Sequence, residues 1–324
     1  MKLRTYIIRR IIMIIPLFFA MSALVFVLIH LAPGDPILTM FGTSAPYNKD
    51  IIEVMRQKYG LDKPLYEQYL IWLNMLLHGD LGYSYLNSRP ISVMIGERII
   101  PTLELTGSAL VITVIVSTIL GVTAAVKRNS IIDHIVTSFA VTGRGIPSFW
   151  LALILILIFS LYLNWLPVCG RETPGMTFSS PFECWLDKIK HMILPVICLS
   201  SYQIAYLVRL VRASMLDVLN QDYIMTARAK GLKESIVIYK HALRNAILPE
   251  VTVIGLYVGY LMAGAAVIET IFAWPGLGSL LVTSVHRREY LLIMDISLII
   301  FIMVLVANLI TDIIYAYLDP RIKY

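Results

Sequence analysis

The sequence has little charge and very little cysteine. Only 15% of its 324 residues are charged and three are Cys, against 58% hydrophobic. Ordinary soluble domains are about 45–50% apolar, so this composition excludes one and leaves a polytopic membrane protein. The usual ATP-binding loop, G-x-x-x-x-G-K-[ST], is absent. No HExxH, GxSxG or Cys-x-x-Cys occurs either, so the metalloprotease, serine hydrolase and redox readings lose their usual support. A channel filter of the TVGYG type is also missing. His30, His78, His191 and His286 are scattered, so a metal site is not expected; no catalytic residue is assigned. The net charge of +6 would suggest an anionic partner in a soluble protein, but in a chain this apolar nucleic acid is not expected.

Apolar runs are what the chain has in abundance. A spanning helix needs about 20 mostly apolar residues, because its backbone groups find no water in the bilayer. Six segments qualify, at about 9–31, 101–126, 134–163, 191–215, 247–270 and 290–318, which predicts an all-α integral membrane protein. The third carries Pro147 and is expected to kink or break. The opening "MKLRTYIIRR" resembles a signal peptide, but its apolar stretch is longer and no small-x-small site ends it, so a retained anchor is expected.

Orientation follows from the basic residues. Lys2, Arg4, Arg9 and Arg10 precede span one, Lys127 and Arg128 follow span two, a basic loop follows span four, and Arg321 and Lys323 close the chain. With six spans all four sites share one side, which the positive-inside rule makes the cytoplasm, with both termini there. The division expected is residues 1–100, an anchor helix and an extracytoplasmic helical segment, then residues 101–324, a five-helix core with a cytoplasmic loop at 216–246. In the outer segment "NKDIIEVMRQKYG" and "PLYEQYLIWLNMLLHG" read as amphipathic surface helices, with Pro64 at a start and Gly60 and Gly79 at stops.

Residues 222–249, "DYIMTARAKGLKESIVIYKHALRNAILP", carry Arg228, Lys230, Lys233, Lys240 and Arg244 against Asp222 and Glu234. At roughly 2.5–3.5 kcal/mol for each Lys or Arg, burying five in lipid would cost more than about 12 kcal/mol, so the segment stays in water. Asp222 is expected to cap a helix through "YIMTARAK", Gly231 to end it, and "SIVIYKHALRNAIL" to form a second helix with Ser235 near its start. Such a rigid pair suggests docking to another protein, although charge alone equally suits a solvated loop. Cys169 and Cys184 share the outer loop between spans three and four, where they form either a disulfide or two free thiols, while Cys198 lies in span four. A disulfide would close a loop of about 15 residues, worth roughly 3 kcal/mol. The G-x-x-x-G of Gly255 to Gly259 marks a helix contact, either within this chain or with another subunit.

"DYIMTARAKGL" followed by "HALRNAILP" resembles the cytoplasmic loop of permease subunits in bacterial and archaeal binding-protein-dependent ABC importers, in the dipeptide, oligopeptide and nickel branch. The same family's pattern is matched by "PGDP" at Pro33 to Pro36, "YGLDKPLYEQY" at Tyr59 to Tyr69, "HGDLGYS" at His78 to Ser84, "PTLELT" at Pro101 to Thr106, "ETIFAWPGLG" at Glu269 to Gly278 and "DPRI" at Asp319 to Ile322. The resemblance thus covers nearly the whole chain. It implies the type I ABC importer permease fold in the cytoplasmic membrane and a cargo of dipeptides or short peptides, with a nickel or other metal chelate, or glutathione, as the alternative. It further implies a second related permease, two ATPase subunits that bind ATP and Mg, and an external solute-binding protein; this chain itself holds no cofactor. Asp222, Tyr223, Thr226, Ala227, Arg228, Ala229 and Gly231 would couple to an ATPase groove. Met225 and Thr226 replace the Glu and first Ala of the general importer motif, which weakens any specific carboxylate contact, and the distance from Gly231 to Pro249 exceeds that of sugar importers.

Arg144, in "VTGRGIPSFW", lies about ten residues into span three, roughly 15 Å deep. Relatives generally carry no charge there, nor at Asp295 in span six. Arg144 is therefore expected to face the translocation path, pairing with an acid such as Asp295 or meeting the carboxylate of a passing peptide; the alternative is that it snorkels to the cytoplasmic surface.

Overall fold

A computed structural model describes residues 3–31, 53 and 61–318. The "PGDP" and "DPRI" motifs, the first amphipathic stretch apart from Glu53, Gly60, Lys2, Arg321 and Lys323 lie outside them. The described chain forms α1 (Leu3–Leu31), α2 (Leu65–Leu77), α3 (Ile91–Val126), α4 (Ile131–Gly145), α5 (Ser148–Leu155, continued as a π-helix through Ile156–Tyr162) and α6 (Pro181–Leu219). Then come α7 (Asp222–Ala229), α8 over 234–246 with a π-helical middle at Val237–Ala242, α9 (Leu248–Ile271), α10 (Leu277–Arg287) and α11 (Tyr290–Leu318).

Five of these helices are long and apolar enough to cross a membrane, and the bent pair α4–α5 makes a sixth candidate. Packing shows that the pair crosses. Leu105 and Ala109 of α3 share a core cluster with Leu194 and Leu199 of α6, and further along Val122 and Ala125 meet Val211 and Met215. α3 and α6 are therefore parallel, so the chain between them must return across the bundle. Ile224 of α7 joins the second of these clusters, which places α7 at the C-terminal ends of α3 and α6. α9 runs back from that end, since Glu250 meets Ser117 and Glu269 meets Thr102. α1 and α11 are antiparallel, with Phe26 clustered against Leu298 and Arg10 paired with Asp312 at 3.2 Å. Six crossings result, with Leu3 and Leu318 both at the α7 end.

Two helices begin ten residues earlier than their apolar runs. Pro90 starts α3 ahead of Pro101, which sits buried inside the helix. α6 starts at Ser180, whose hydroxyl accepts from Glu183 N at 3.3 Å while the Glu183 carboxylate accepts from Ser179 N at 2.9 Å. With Pro181 in the first turn this is a variant of the capping box, and it satisfies amide groups the helix start leaves open. At the end opposite α7, the outer loop is tied down by a bidentate pair between Arg171 and Glu104 at 2.9 and 2.7 Å and by Gly170 N donating to Phe272 O at 2.8 Å. α2 lies at this end too, with Trp72 buried beside Val25, Phe26 and Leu298. Gly255 packs within the chain: a Cβ there would come 2.7 Å from Thr311 of α11, so the G-x-x-x-G serves close approach of α9 and α11.

Candidate functional site

α7 is short and two-faced. Ile224 and Ala227, three residues apart, are buried against Val122, Val211, Met215 and Val237, which for Ile224 alone is worth about 1.5–3 kcal/mol. Its other side chains are exposed, among them Asp222, Tyr223, Met225, Thr226, Arg228 and Ala229. The N-cap is Gln221, without a side-chain cap bond; Asp222 stands inside the first turn, where its charge complements the helix dipole rather than capping as expected. At the other end Gly231 has φ +75, Gly231 N donates to Arg228 O at 2.9 Å and Leu232 N to Ala227 O at 3.4 Å. This is the Schellman pattern, which requires the left-handed backbone that glycine adopts without strain. Across the turn Arg228 pairs with Glu234 at 2.7 Å, and the guanidinium holds the Glu234 carboxyl below its ordinary range. Asn245 of α8 donates to the Tyr223 hydroxyl at 2.8 Å. Of the seven coupling candidates only Ala227 turns inward; it joins α7 to the bundle, while the others face solvent.

Mid-bundle, the third crossing breaks. α4 and α5 meet at 106° around Ile146, whose extended backbone is the conformation that a following proline imposes. Arg144 stands at this corner, exposed, with its guanidinium carbon 5.7 Å from the Tyr202 ring centroid and 5.4 Å from that of Tyr206. The Tyr206 ring in turn meets Tyr257 edge-on at 5.6 Å. The pairing of Arg144 with Asp295 is not formed. Asp295 is fully buried and its Oδ1 accepts from Trp72 Nε1 at 3.0 Å, which joins it to α2 instead. Cys169, Cys184 and Cys198 are all free, so the disulfide alternative gives way to free thiols: Cys169 is exposed beside the anchored Gly170, and Cys184 is committed to the first turn of α6. Among the described residues no cluster of three metal-ligating side chains occurs.

Several buried pairings leave no local signal in the sequence. Thr102, in "PTLELT", donates to Glu269 Oε1 at 2.7 Å and accepts from Leu277 N at 2.7 Å, and Ser279 N donates to Glu269 Oε2 at 2.9 Å. Trp274 Nε1 donates to Pro101 O at 2.9 Å. Two family-like motifs far apart in sequence thus form one buried joint. At the α7 end Arg212 grips Asp133 through two bonds of 2.6 and 2.7 Å, and Asn129 N donates to the same carboxylate at 2.9 Å. Tyr202, Tyr206 and Arg209 share one face of α6 at i, i+4 and i+7, a pattern visible in the sequence once the helix is known.

Comparison with known proteins places these features in context. Residues 117–324 match the family described as binding-protein-dependent transport system inner membrane component, and residues 3–106 match its N-terminal companion. The oligopeptide transport system permease protein AppB of Bacillus subtilis is 43% identical over 320 residues, covering 98% of this chain and 99% of that one. The dipeptide transport system permease protein DppB of Escherichia coli K12 is 41% identical, with 98% of each chain covered. The glutathione transport system permease protein GsiC of Escherichia coli O6:H1 is 41% identical, with 98% of this chain and 99% of the relative covered. Among solved structures, the MetNI methionine ABC transporter in an inward-facing conformation aligns with a TM-score of 0.57 at 17% identity, covering 72% of this chain and 99% of that one, a likeness of fold.

Proposed function

The chain belongs to the family of binding-protein-dependent transport system inner membrane components, and from that premise we propose that it carries dipeptides or short peptides into the cell. As a family member it is a multi-pass inner-membrane permease subunit of an ABC importer, working with other subunits that hydrolyse ATP. The finer assembly we infer is a second homologous permease, two ATPases that hold ATP and Mg, and an external solute-binding protein. The relatives named for oligopeptides and dipeptides support the cargo, and glutathione is itself a tripeptide.

The observation that carries the coupling role is the two-faced α7. A helix with its inner residues locked on the bundle and its outer residues free transmits the motion of a docked partner instead of absorbing it. Asp222, Tyr223, Thr226, Arg228 and Ala229 would contact the ATPase, with Ala227 and Gly231 holding the helix at its angle. The α7 end is then cytoplasmic, in keeping with Lys127 and Arg128 beside it. The peptide reading is tested by reconstituting the complete complex in proteoliposomes with its binding protein. ATP-dependent uptake of a dipeptide is the expected result; uptake of a nickel chelate with no peptide would overturn the reading.

A further inference from the structure

The break in the third crossing leaves a polar seam between α4 and α6. At about 100° per residue, Asp133, Thr137 and Arg144 fall on one side of α4, opposite the exposed stripe of Ile131, Ile135 and Phe139. That stripe suits lipid; the polar side faces α6. There Tyr202, Tyr206, Arg209 and Ala213 form a matching line, with Arg212 next to it. Thr137, Tyr206, Arg209, Arg212 and Ala213 line a cavity of about 370 Å³, and the Arg144 guanidinium lies 5.4 Å from the ring centroid of Tyr206, one of these lining residues.

Charge along the seam does not balance. Asp133 is taken by Arg212, and among the described residues no carboxylate pairs with Arg144 or Arg209. The thirteen residues from Ile131 to Arg144 rise about 20 Å, and Tyr206 lies the same thirteen residues from Leu219, so the two helices agree on its depth. An exposed guanidinium that deep, turned away from the lipid stripe, needs an aqueous path or an anion.

We propose that Arg144 and Arg209, framed by Tyr202 and Tyr206, form a subsite in the translocation path that takes the C-terminal carboxylate of a peptide in transit. The inference rests on the peptide reading above. It gives that reading a chemical basis: the α-carboxylate is the one anion common to free peptides of any sequence, and a guanidinium meets it through two parallel hydrogen bonds. The tyrosines hold the guanidinium in place while no cargo is present, by cation–π contact that a passing carboxylate outcompetes. An anionic lipid phosphate is the competing occupant, but headgroups sit at the membrane surface and Arg144 lies about 20 Å along α4 from Ile131, where the lipid-facing stripe begins.

The test uses the complete complex in nanodiscs without binding protein, titrated with a dipeptide and with its C-terminal amide. The native complex should prefer the acid by about tenfold or more, the scale of a hydrogen bond to a charged group. Arg144→Gln and Arg209→Gln should bind acid and amide alike, and Arg144→Lys should recover part of the preference. Equal binding of acid and amide by the native complex overturns the proposal, as does a preference that survives in both Gln variants. Loss of co-purified phosphatidylglycerol from those variants with the acid preference intact also overturns it, in favour of a lipid site. ATP-driven uptake with binding protein separates this proposal from the reading beneath it: native complex that imports peptide but shows no acid preference sinks only the subsite, whereas native complex that imports no peptide sinks both.

Discussion

The α3–α9 seam and the α4–α6 seam both place ionisable side chains inside the membrane, and they treat them in opposite ways. Along α3–α9 the charges are acids with no exposure, each met by donors of this chain. Glu250 accepts from Ser117 at 2.7 Å and Thr118 at 3.1 Å, and Glu269 from Thr102 and Ser279. Along α4–α6 the charges are mostly arginines, and two of three find no acid among the described residues. A group that holds a membrane bundle together is desolvated and satisfied from within; a group left exposed and unneutralised at depth serves something that arrives. Burial alone does not decide what proline does: Pro101, Pro195 and the exposed Pro16 all sit inside unbroken helices, with Trp274 donating to Pro101 O, whereas Pro147 coincides with a 106° bend.

Removing the acid of the first seam should have the largest effect. Glu269→Ala leaves the Thr102 hydroxyl and the Ser279 amide buried without their acceptor, about 1–3 kcal/mol each. That total is a large fraction of the stability of many domains, so the yield of assembled complex should fall several-fold. Yield measured by gel filtration after extraction checks it, and native yield from Glu269→Ala would erase the distinction between the seams. Arg144→Gln and Arg209→Gln should assemble at native levels.

Gly231→Val comes next. A Cβ at Gly231 meets nothing within 4 Å, so the penalty is that of φ +75 alone, about 1–3 kcal/mol for a non-glycine residue. The turn should shift, and uptake per ATP hydrolysed should fall several-fold at unchanged complex yield. Gly231→Asn should lose less, because Asn tolerates this conformation. Equal uptake per ATP in all three would remove α7 from the coupling path.

Trp72→Phe tests whether Asp295 belongs with the structural acids. Among the described residues its Oδ2 already lacks a partner, and losing the indole N–H leaves Oδ1 without one too, a cost of about 1–3 kcal/mol in thermal stability. Replacing both, as Trp72→Phe with Asp295→Leu, should recover most of that loss. A double variant as unstable as the sum of the single ones would place the value of Asp295 outside this bond.

Most of the architecture was legible because lipid enforces a simple rule. The spans at 247–270 and 290–318 differ from α9 and α11 by no more than a residue, since each apolar run ends at a charge or a turn. The apolar runs of α3 and α6 are shorter than the helices for a different reason: their outer ends leave the apolar run and continue as ordinary helix, where the signals are Pro90 and the Ser180–Glu183 cap. The end of α7 at Gly231 was readable because a left-handed turn leaves a glycine in the sequence. The pairings were not. Trp72 with Asp295, Thr102 with Glu269 and Asp133 with Arg212 join residues dozens to hundreds of positions apart, and no local pattern records which helix faces which. Arg144 was recognisable as out of place, but its tyrosine neighbours required the helices to be docked.

The smallest effect separates the α7 turn from both seams. Arg228 and Glu234 are each about half exposed, so their pair is worth roughly 0.2–1 kcal/mol and is screened by salt. Arg228 depresses the Glu234 pKa below its ordinary 4.5 in the folded protein, so the pair's contribution is fully present above that value. It is lost as pH falls through the lower folded value, and near neutral pH the turn should show no pH dependence from this group. Glu234→Gln reproduces the protonated state at pH 7, where trypsin cleavage after Lys230 or Lys233 reports local opening of the turn. A rise of about twofold is expected, corresponding to roughly 0.5 kcal/mol, and it should vanish in about 1 M salt, where the native pair is screened as well. A tenfold rise would mean that the pair, rather than the Gly231 backbone, is what holds α7 at its angle.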